Sequence, residues 1–264
     1  IDEKTRQEIL NNCKTEEERK RTEEIIKPVL RGRDIGRYYY KWEGLYLILI
    51  KAGWTNKYKG DKHPEDFFKS QFKSLYAYLK AVGDKSEKSL SGRKKGLYRR
   101  GDMGDYWWEL RHCDYYDEFE KEKIVFSKIV KSPQFAYDDK GFYAEVTTYI
   151  LTGKNIKYLT ALLNSPVVYW LFYEFYSGGG IDGEITIYKL EQLPIPQIPE
   201  SEQKPFIELV DKILELTSHE DYENRPDLQQ KVKEYSDQID QLVYKLYQLT
   251  DEEIDRIDKR IKSS

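Results

Sequence analysis

Cations alternate with aromatic rings over residues 85–111, and these side chains are the ones in the sequence best suited to binding chemistry. Residues 85–100 contain seven Lys and Arg against one acid, Glu87, which gives a net charge of +6 in sixteen residues. Cations contact DNA phosphates and guanine edges, whereas flat rings stack on bases or wedge between them. The segment therefore predicts a DNA-contact surface made of Lys88, Arg93, Lys94, Lys95, Tyr98, Arg99, Arg100, Tyr106, Trp107 and Arg111.

The same stretch has a structural interpretation that composition leaves open. Lys and Arg are equally typical of a solvated surface, and Trp107 and Trp108 would then serve to anchor a sheet. Under either interpretation, at least one of these two tryptophans is expected in the core.

A second basic cluster lies in the sequence RGRDIGRYYYK, residues 31–41. Its acid, Asp34, is expected to hold one arginine in a bidentate ion pair, because a guanidinium matches a carboxylate in shape. Phosphate contact and structural bracing both fit the remaining cations. The DNA-contact candidates in this cluster are Arg31, Arg33 and Arg37.

Patterns that carry catalysis are missing from the sequence. It has no GxGxxG, no P-loop, no HExxH and no Asn-Pro-Pro-aromatic tetrapeptide of the kind that amino-methyltransferases use. Asp138, Asp139 and Lys140 weakly resemble a metal nuclease site, but the turn of a hairpin explains them better. Cys13 and Cys113 are the only cysteines, and neither is part of a CxxC pair. We therefore expect no catalytic residue, metal or cofactor in this chain.

Charge is distributed unevenly along the chain. The net charge of −3 conceals an acidic end, because residues 200–264 hold 10 Lys and Arg against 17 Asp and Glu, which leaves 34 against 30 in the rest. A mildly basic body suits nucleic acid, whereas an acidic segment repels phosphate and is better suited to protein contact.

The ends and the apolar runs give two further expectations. The chain begins at Ile1 and its only methionine is Met103, so we expect a piece of a longer protein. The longest apolar runs, 45–50 and 167–173, are far shorter than the roughly 18 residues that span a bilayer. A cytoplasmic protein is expected.

Periodicity predicts the elements of the first half of the chain. A helix is expected over residues 3–27, with a capping box formed by Thr15 and Glu18, and a strand buried on both faces over residues 45–51. Residues 84–105 lack apolar periodicity and predict a long exposed loop. Between this strand and this loop, an amphipathic helix is expected to begin at Pro64. Its buried face would consist of Phe68, Phe72, Leu75, Tyr76 and Leu79.

The second half begins with strands and ends with helices. Strands are predicted over residues 123–130, 134–138 and 143–151, the last two joined as a hairpin by a turn at 139–141. Helices at 155–164 and 166–176, a small strand near 184–188, and a stiff proline-containing connector at 190–199 follow. The expected fold is α+β. A mixed β-sheet recognition domain with peripheral helices spans residues 1–199, and an antiparallel helical region spans 200–264, with a last helix capped by Thr250 and Glu253.

Several strings in this sequence together resemble a known family. They occur in one order from near the start to near the end, and their combination is far more specific than any single string. The chain resembles the TaqI-like C-terminal specificity domain of type IIG restriction-modification enzymes of the Eco57I kind. The strings are IIKPVLRGRDIGRYY (25–39), YWWELRHCDYYDEF (106–119), KIVFSKI (123–129), YLTALLNSPVVYW (158–170), YKLEQLPIP (188–196) and IDQLVYKLYQLTDEEI (239–254).

The resemblance implies a division of labour within a larger enzyme. An upstream domain that uses S-adenosylmethionine would methylate adenine, as a site-specific adenine DNA-methyltransferase, often beside a nuclease domain that needs magnesium. This chain would select the site on double-stranded DNA, and the family's first strand would lie upstream of Ile1. The LNSP and LPIP strings are also similar to those of type I specificity subunits, in which a long helix follows the target domain.

Mapped onto this sequence, the resemblance adds a third DNA-contact candidate, the turn at residues 178–183 with Thr186 and Lys189. Two other functions stay open. The tail helices or a tyrosine-rich face would make the chain a docking module for another domain, with little DNA contact. A nuclease would instead need a carboxylate cluster that holds magnesium.

Overall fold

Helices supply most of the regular structure of this chain, and its strands are short. The computed structural model describes residues 1–89, 96–128, 132–176, 185 and 187–262. The backbone forms two compact units. Unit one consists of Ile1–Val29 and Gly44–Asp117, and unit two of Leu30–Glu43 and Glu118–Ser264.

Unit one is built from helices around an aromatic core. Its core includes Phe68, Phe72, Leu75 and Trp108. Strands β1 and β2 pair antiparallel, with Ile26 opposite Ile48. The elements are α1 (Glu3–Asn11), α2 (Glu16–Glu24), β1 (Ile26–Leu30, whose last residue belongs to unit two), β2 (Tyr46–Ile48), α3 (Trp54–Tyr58), α4 (Pro64–Gln71), α5 (Lys73–Ser89) and a 3₁₀ turn (Leu97–Arg99).

The first predicted helix is two helices, because a cap interrupts it. Thr15 adopts an extended backbone conformation, and its hydroxyl accepts a hydrogen bond from the Glu18 N–H at 3.1 Å, so a new helix begins there. The Thr15 half of the predicted capping box is confirmed, whereas the Glu18 carboxylate accepts from the Lys14 N–H at 2.9 Å. The strand predicted over residues 45–51 is wrong in extent and burial. β2 has three residues, all half-buried, and the buried Leu49 and Ile50 follow the strand.

The helix predicted from Pro64 is present, but it is broken at Phe72, where φ is −137° and ψ is 60°. Phe68, Phe72, Leu75 and Leu79 are buried as expected. The predicted loop is wrong at residues 84–89, which continue α5. This end of α5 is solvated, so it carries no apolar stripe, and the Lys80–Asp84 ion pair at 3.0 Å supports it instead.

Unit two begins with a three-stranded antiparallel sheet. Its strands are β3 (Lys123–Ser127), β4 (Phe135–Asp138) and β6 (Thr148–Thr152), in the order β4-β3-β6, while β5 (Tyr143–Ala144) stands outside this sheet. The predicted hairpin between the second and third strands is therefore wrong. All five residues of β3 are buried, so β3 takes the centre and each of the other strands pairs with it.

Helices cover this sheet and complete unit two. The break predicted at Ser165 and Pro166 is confirmed, since the Ser165 hydroxyl accepts from the Val168 N–H at 3.3 Å. The small strand predicted near residues 184–188 is wrong at residues 187–188, which are helical; Glu184 and Thr186 lie outside the described residues. The helices are α6 (Ile156–Leu163), α7 (Pro166–Leu171) with a π-turn (Phe172–Tyr176), α8 (Ile187–Leu190), α9 (Glu200–Thr217), α10 (Pro226–Leu246) and α11 (Asp251–Lys262).

The α+β fold class with C-terminal helices is confirmed. α11 begins at the predicted capping box, in which the Thr250 N–H donates to Glu253 at 2.8 Å. Side chains of α6, α7, α9 and α10 share one buried cluster. Across the described part of the chain, each helix is too short or too polar to cross a membrane.

Candidate nucleic-acid interface

Three stacked rings run from the core of unit one to its surface. Phe68, which is fully buried on α4, lies parallel to Trp108 with centroids 4.9 Å apart and an interplanar angle of 4°. Trp108 in turn lies parallel to the half-buried Tyr106 at 5.0 Å and 6°. We call Phe68, Trp108 and Tyr106 the aromatic column. It fixes the position of Tyr106, because each ring is held by the face of the one beneath it.

A buried carboxylate ties the aromatic column to α3. Glu109 is fully buried and accepts backbone N–H bonds from Gly53 at 3.2 Å, Thr55 at 2.9 Å and Asp105 at 3.0 Å. These bonds satisfy donors at the start of α3, which has no side-chain cap of its own. The Trp108 indole N–H also donates to the Thr55 hydroxyl, at 2.9 Å. Residues 105–109, which include Tyr106 and Trp108 of the aromatic column, are thereby fixed against α3.

The outer face of α3 carries polar and aromatic side chains that lie outside the predicted site residues. Asn56, Lys57 and Tyr58 are consecutive and exposed, and Tyr58 is 53% accessible. Asn56 accepts from the Tyr106 hydroxyl at 2.7 Å, so α3 is joined to the top of the aromatic column. The signal available in the sequence was the run NKYKGDK, with three lysines around one tyrosine.

The predicted loop residues divide into inward and outward ones. Tyr98 packs on α5, where its hydroxyl donates to the Lys80 carbonyl at 3.0 Å and its ring meets Trp107 edge-on at 4.7 Å. Arg100 is half-buried and donates to the Glu109 backbone carbonyl, and burial lowers its pKa. Arg99 is 74% exposed and lies 2.9 Å from Glu87.

The other members of this predicted surface have mixed environments. Lys88 is exposed on α5, Arg111 is exposed beyond the aromatic column, and Trp107 is half-buried with its ring edge-on to Trp108 at 5.3 Å. Trp108 itself is 5% exposed, which confirms that at least one of the two tryptophans is core. Arg93, Lys94 and Lys95 lie outside the described residues.

In the second cluster, the predicted bidentate pair is present. Arg31 donates through Nε and Nη2 to Asp34, at 3.0 Å and 2.7 Å, and the Asp34 carboxylate also accepts from the Arg31 N–H. The turn between them needs a glycine. A Cβ on Gly32 would lie 2.6 Å from the Ser127 hydroxyl. The pairing raises the pKa of Arg31 and holds its guanidinium against the turn.

Arg33 is the outward member of this turn. It lines a polar pocket of about 260 Å³ together with Lys41 and Glu223, which form an ion pair at 2.7 Å. Asp34 and Glu43 line the same pocket, so its charge is mixed. An anion bound in this pocket would lie beside carboxylates, which repel it. Phosphate contact by Arg33 alone is therefore favoured over an anion enclosed in the pocket.

Arg37 braces unit two internally. Its Nη2 donates to the Asn164 carbonyl at 2.8 Å and to Asp240 at 3.3 Å. Its neighbour Tyr38 is fully buried, which raises the tyrosine pKa to about 12. The third candidate region is only partly described, since Lys189 lies half-buried on α8, while Thr186 and residues 178–183 lie outside the described residues.

The predicted site residues therefore belong to two different units. Lys88, Tyr98, Arg99, Arg100, Tyr106, Trp107 and Arg111 lie in unit one, and Arg31, Arg33, Arg37 and Lys189 in unit two. The sequence of unit one holds 22 Lys and Arg against 18 Asp and Glu, whereas that of unit two holds 22 against 29. The more basic of the two is the unit with the aromatic column, which makes unit one the better candidate surface for phosphate.

Of the two carboxylates that weakly resemble a nuclease site, Asp138 has a structural role. Asp138 is fully buried, lies 2.5 Å from the equally buried Lys123, and accepts the N–H groups of Lys140 and Phe142 at 3.0 Å. Within the described ranges, no group of three or more His, Cys, Asp and Glu is arranged to hold a metal ion.

Comparison with known proteins adds a family and a fold. The model of the family described as the TaqI-like C-terminal specificity domain matches residues 27–195. Among solved structures, the type IIL restriction-modification enzyme MmeI in complex with DNA shares the fold with a TM-score of 0.58 at 13% identity. The match covers 100% of this chain and 34% of that one, so this chain spans about a third of that enzyme's length. No curated protein sequence matches the chain.

Proposed function

We propose, from the premise that this chain belongs to the TaqI-like C-terminal specificity domain family, that it recognises a short DNA sequence for a restriction-modification enzyme. The observation that carries the proposal is the surface of unit one. There, exposed cations belong to the same unit as an aromatic column that begins in the core. The similarity in fold to a restriction-modification enzyme seen in complex with DNA agrees with it.

In the proposed mechanism, cations bind phosphates and fix the position of the duplex. Other side chains form hydrogen bonds with the edges of the bases. Arg99, Arg111 and Lys88 are exposed and contact phosphates, which fixes the register of the protein on DNA. Tyr98 and Arg100 support the surface from below, since both donate hydrogen bonds to backbone carbonyls. In unit two, Arg33 is the outward cation of the Arg31–Asp34 turn.

The chemistry belongs to another domain in this proposal. A methyltransferase domain upstream in the same polypeptide binds S-adenosylmethionine and methylates an adenine that is rotated out of the duplex. A nuclease domain, with magnesium, completes an enzyme of the type IIG kind. We assign neither group a site on this chain, whose role is to choose the DNA on which the other domains act in the cytoplasm.

A docking role for the tail fits the same assembly. Residues 200–264 are acidic, with 10 Lys and Arg against 17 Asp and Glu, and therefore disfavour phosphate. Helices α9 and α10 bury one face in unit two and expose the other. We assign residues 1–199 to recognition of DNA, and residues 200–264 to contact with the neighbouring catalytic domain.

Selection of bound duplexes from a random pool tests the function. The chain, in its natural polypeptide, is expected to enrich one short sequence, and deletion of residues 90–95 is expected to weaken that enrichment. A pool that stays random after repeated rounds would overturn the proposal. Cleavage of DNA by the chain alone with magnesium would instead favour the nuclease interpretation.

A further inference from the structure

The outer face of α3 forms a rigid polar surface beside the aromatic column. We define the α3 surface as Asn56, Lys57 and Tyr58 of α3 together with Lys62 in the turn that follows it, all of which are exposed. Residues 56–63 contain three lysines and one acid, and with the Asp105 carboxylate that contacts Asn56 they keep a net charge of +1. Its backbone is anchored from beneath, because Thr55 is fully buried and bonded to both Glu109 and Trp108.

Asn56 is held in one amide orientation. Its Oδ1 accepts from the Tyr106 hydroxyl at 2.7 Å, and its Nδ2 donates to Asp105 at 2.8 Å. An amide has two acceptor lone pairs and two donor hydrogens, so one of each stays available on an exposed side chain. Because Tyr106 stacks on Trp108, this orientation is fixed by the core and the side chain is preorganised for recognition.

One donor and one acceptor side by side are the complement of an adenine edge. In the major groove, adenine presents the N6 amino group as donor and N7 as acceptor, and Asn or Gln binds this pair with two hydrogen bonds. Lys57 follows Asn56 directly and Lys62 lies in the turn after α3; both are exposed cations of the kind that bind phosphate. Lys57 also lies over the Tyr58 ring at 5.1 Å, which orients its ammonium group on this face.

We propose that the α3 surface is a second DNA-contact surface of unit one, in which Asn56 recognises an adenine in the major groove and Lys57 and Lys62 bind phosphate. This inference rests on the proposed function, and it adds a specificity-determining residue and its base. Duplex DNA is the occupant that fits, because the face combines an excess of lysines with a fixed amide that keeps one donor and one acceptor available.

Paired selections test the base assignment. Asn56→Ala is expected to relax the preference for adenine at one position of the selected sequence, by about 5-fold to about 150-fold, the range for one bidentate contact. The matched control is Asn12→Ala, an exposed asparagine of the same unit at the end of α1. An Asn56→Ala variant that selects the same sequence with the same strength at every position would overturn the assignment.

Salt dependence tests the two lysines. Lys57→Gln/Lys62→Gln is expected to reduce the slope of log affinity against log salt by roughly 0.9 for each lost phosphate contact. The control, Lys14→Gln/Lys20→Gln, removes two exposed lysines from the same unit and is expected to leave the slope unchanged. If the two double variants show the same slope of log affinity against log salt, Lys57 and Lys62 do not bind phosphate.

Hydrogen exchange in the unmodified chain tests the same surface without a substitution that could impair folding. Backbone amides of residues 54–63 are expected to gain protection from hydrogen exchange when the selected duplex is added. Binding of the duplex without protection of these amides would refute the inference and leave the proposed function unaffected. A chain that selects no sequence at all sinks both.

Discussion

Arg37 Nη2 lies 3.3 Å from Oδ1 of Asp240, although 203 residues separate the two in the sequence. The same guanidinium donates to the Asn164 carbonyl at 2.8 Å, so the turn after β1 is tied to the end of α6 and to the middle of α10. Of the two interpretations left open for the second basic cluster, the structure gives Arg37 the contacts of a brace. Arg33 keeps the exposure that phosphate contact needs.

Burial of Asp240 predicts a pH dependence of stability. Removal from water raises its pKa from 3.8 to about 6, against the opposing effect of Arg37, with Asp237 and Asp258 as further acidic neighbours. The folded state then binds the proton more tightly than the unfolded state, so wild-type stability rises relative to Asp240→Asn as pH falls from 7 to 4. We expect a relative gain on the order of 2 to 3 kcal/mol, measured by urea unfolding at both pH values. A difference between the two proteins that is constant with pH would count against this.

A second prediction concerns the buried ion pair between Lys123 and Asp138, both fully inaccessible and 2.5 Å apart. Lys123→Met leaves a buried carboxylate without its cation and is expected to lower the free energy of unfolding by about 3–5 kcal/mol. Lys121→Met is the matched control, since Lys121 is 59% exposed and pairs with Glu118 at the surface. Its expected cost is below about 1 kcal/mol. Similar losses for the two variants would contradict the special role of the buried pair.

Local features of this fold could be predicted because their partners are three or four residues apart. The caps at Thr15, Ser165 and Thr250, and the Arg31–Asp34 pair, each depend on a short spacing that the sequence displays directly. Such contacts form wherever the backbone adopts the matching local conformation, and tertiary structure adds little to them.

Features that depend on distant partners could not be predicted from spacing. The strand order β4-β3-β6 is one, because nothing local distinguishes a hairpin from two strands that flank a third. Glu109 is another, since its main partners lie more than fifty residues away at Gly53 and Thr55. For the same reason the cations of residues 85–111 could be selected from the sequence, whereas the contact of Asn56 with Tyr106 could not.

The buried carboxylate of Glu109 gives a third prediction. Glu109→Ala removes the acceptor of three backbone N–H groups and is expected to lower the free energy of unfolding by about 3 kcal/mol or more. Amides of Gly53, Thr55 and Asp105 should exchange hydrogen faster, because they lose their partner. Asp114→Ala, at an exposed side chain of the same segment, serves as the control and should leave both quantities nearly unchanged. Unaltered exchange at these three amides in Glu109→Ala would refute the anchoring of α3.

The last prediction separates two adjacent arginines of the predicted DNA-contact surface. Arg99 is 74% exposed, and its ion pair with Glu87 at 2.9 Å can be exchanged for a phosphate. Arg99→Gln is therefore expected to weaken DNA binding and to reduce the salt slope by roughly 0.9, with unfolding changed by no more than about 0.5 kcal/mol.

Arg100 is turned inward instead, and its guanidinium donates to the Glu109 carbonyl while burial lowers its pKa. Arg100→Gln is expected to cost about 1.5–3 kcal/mol of unfolding free energy, because a charged hydrogen bond in a half-buried site is lost, and to leave the salt slope unchanged. Each variant is the control of the other in paired urea titrations and DNA-binding isotherms at several salt concentrations. Two variants that change the slope equally would show that Arg100 leaves its site to contact DNA, and that the inward hydrogen bond does not persist in the complex.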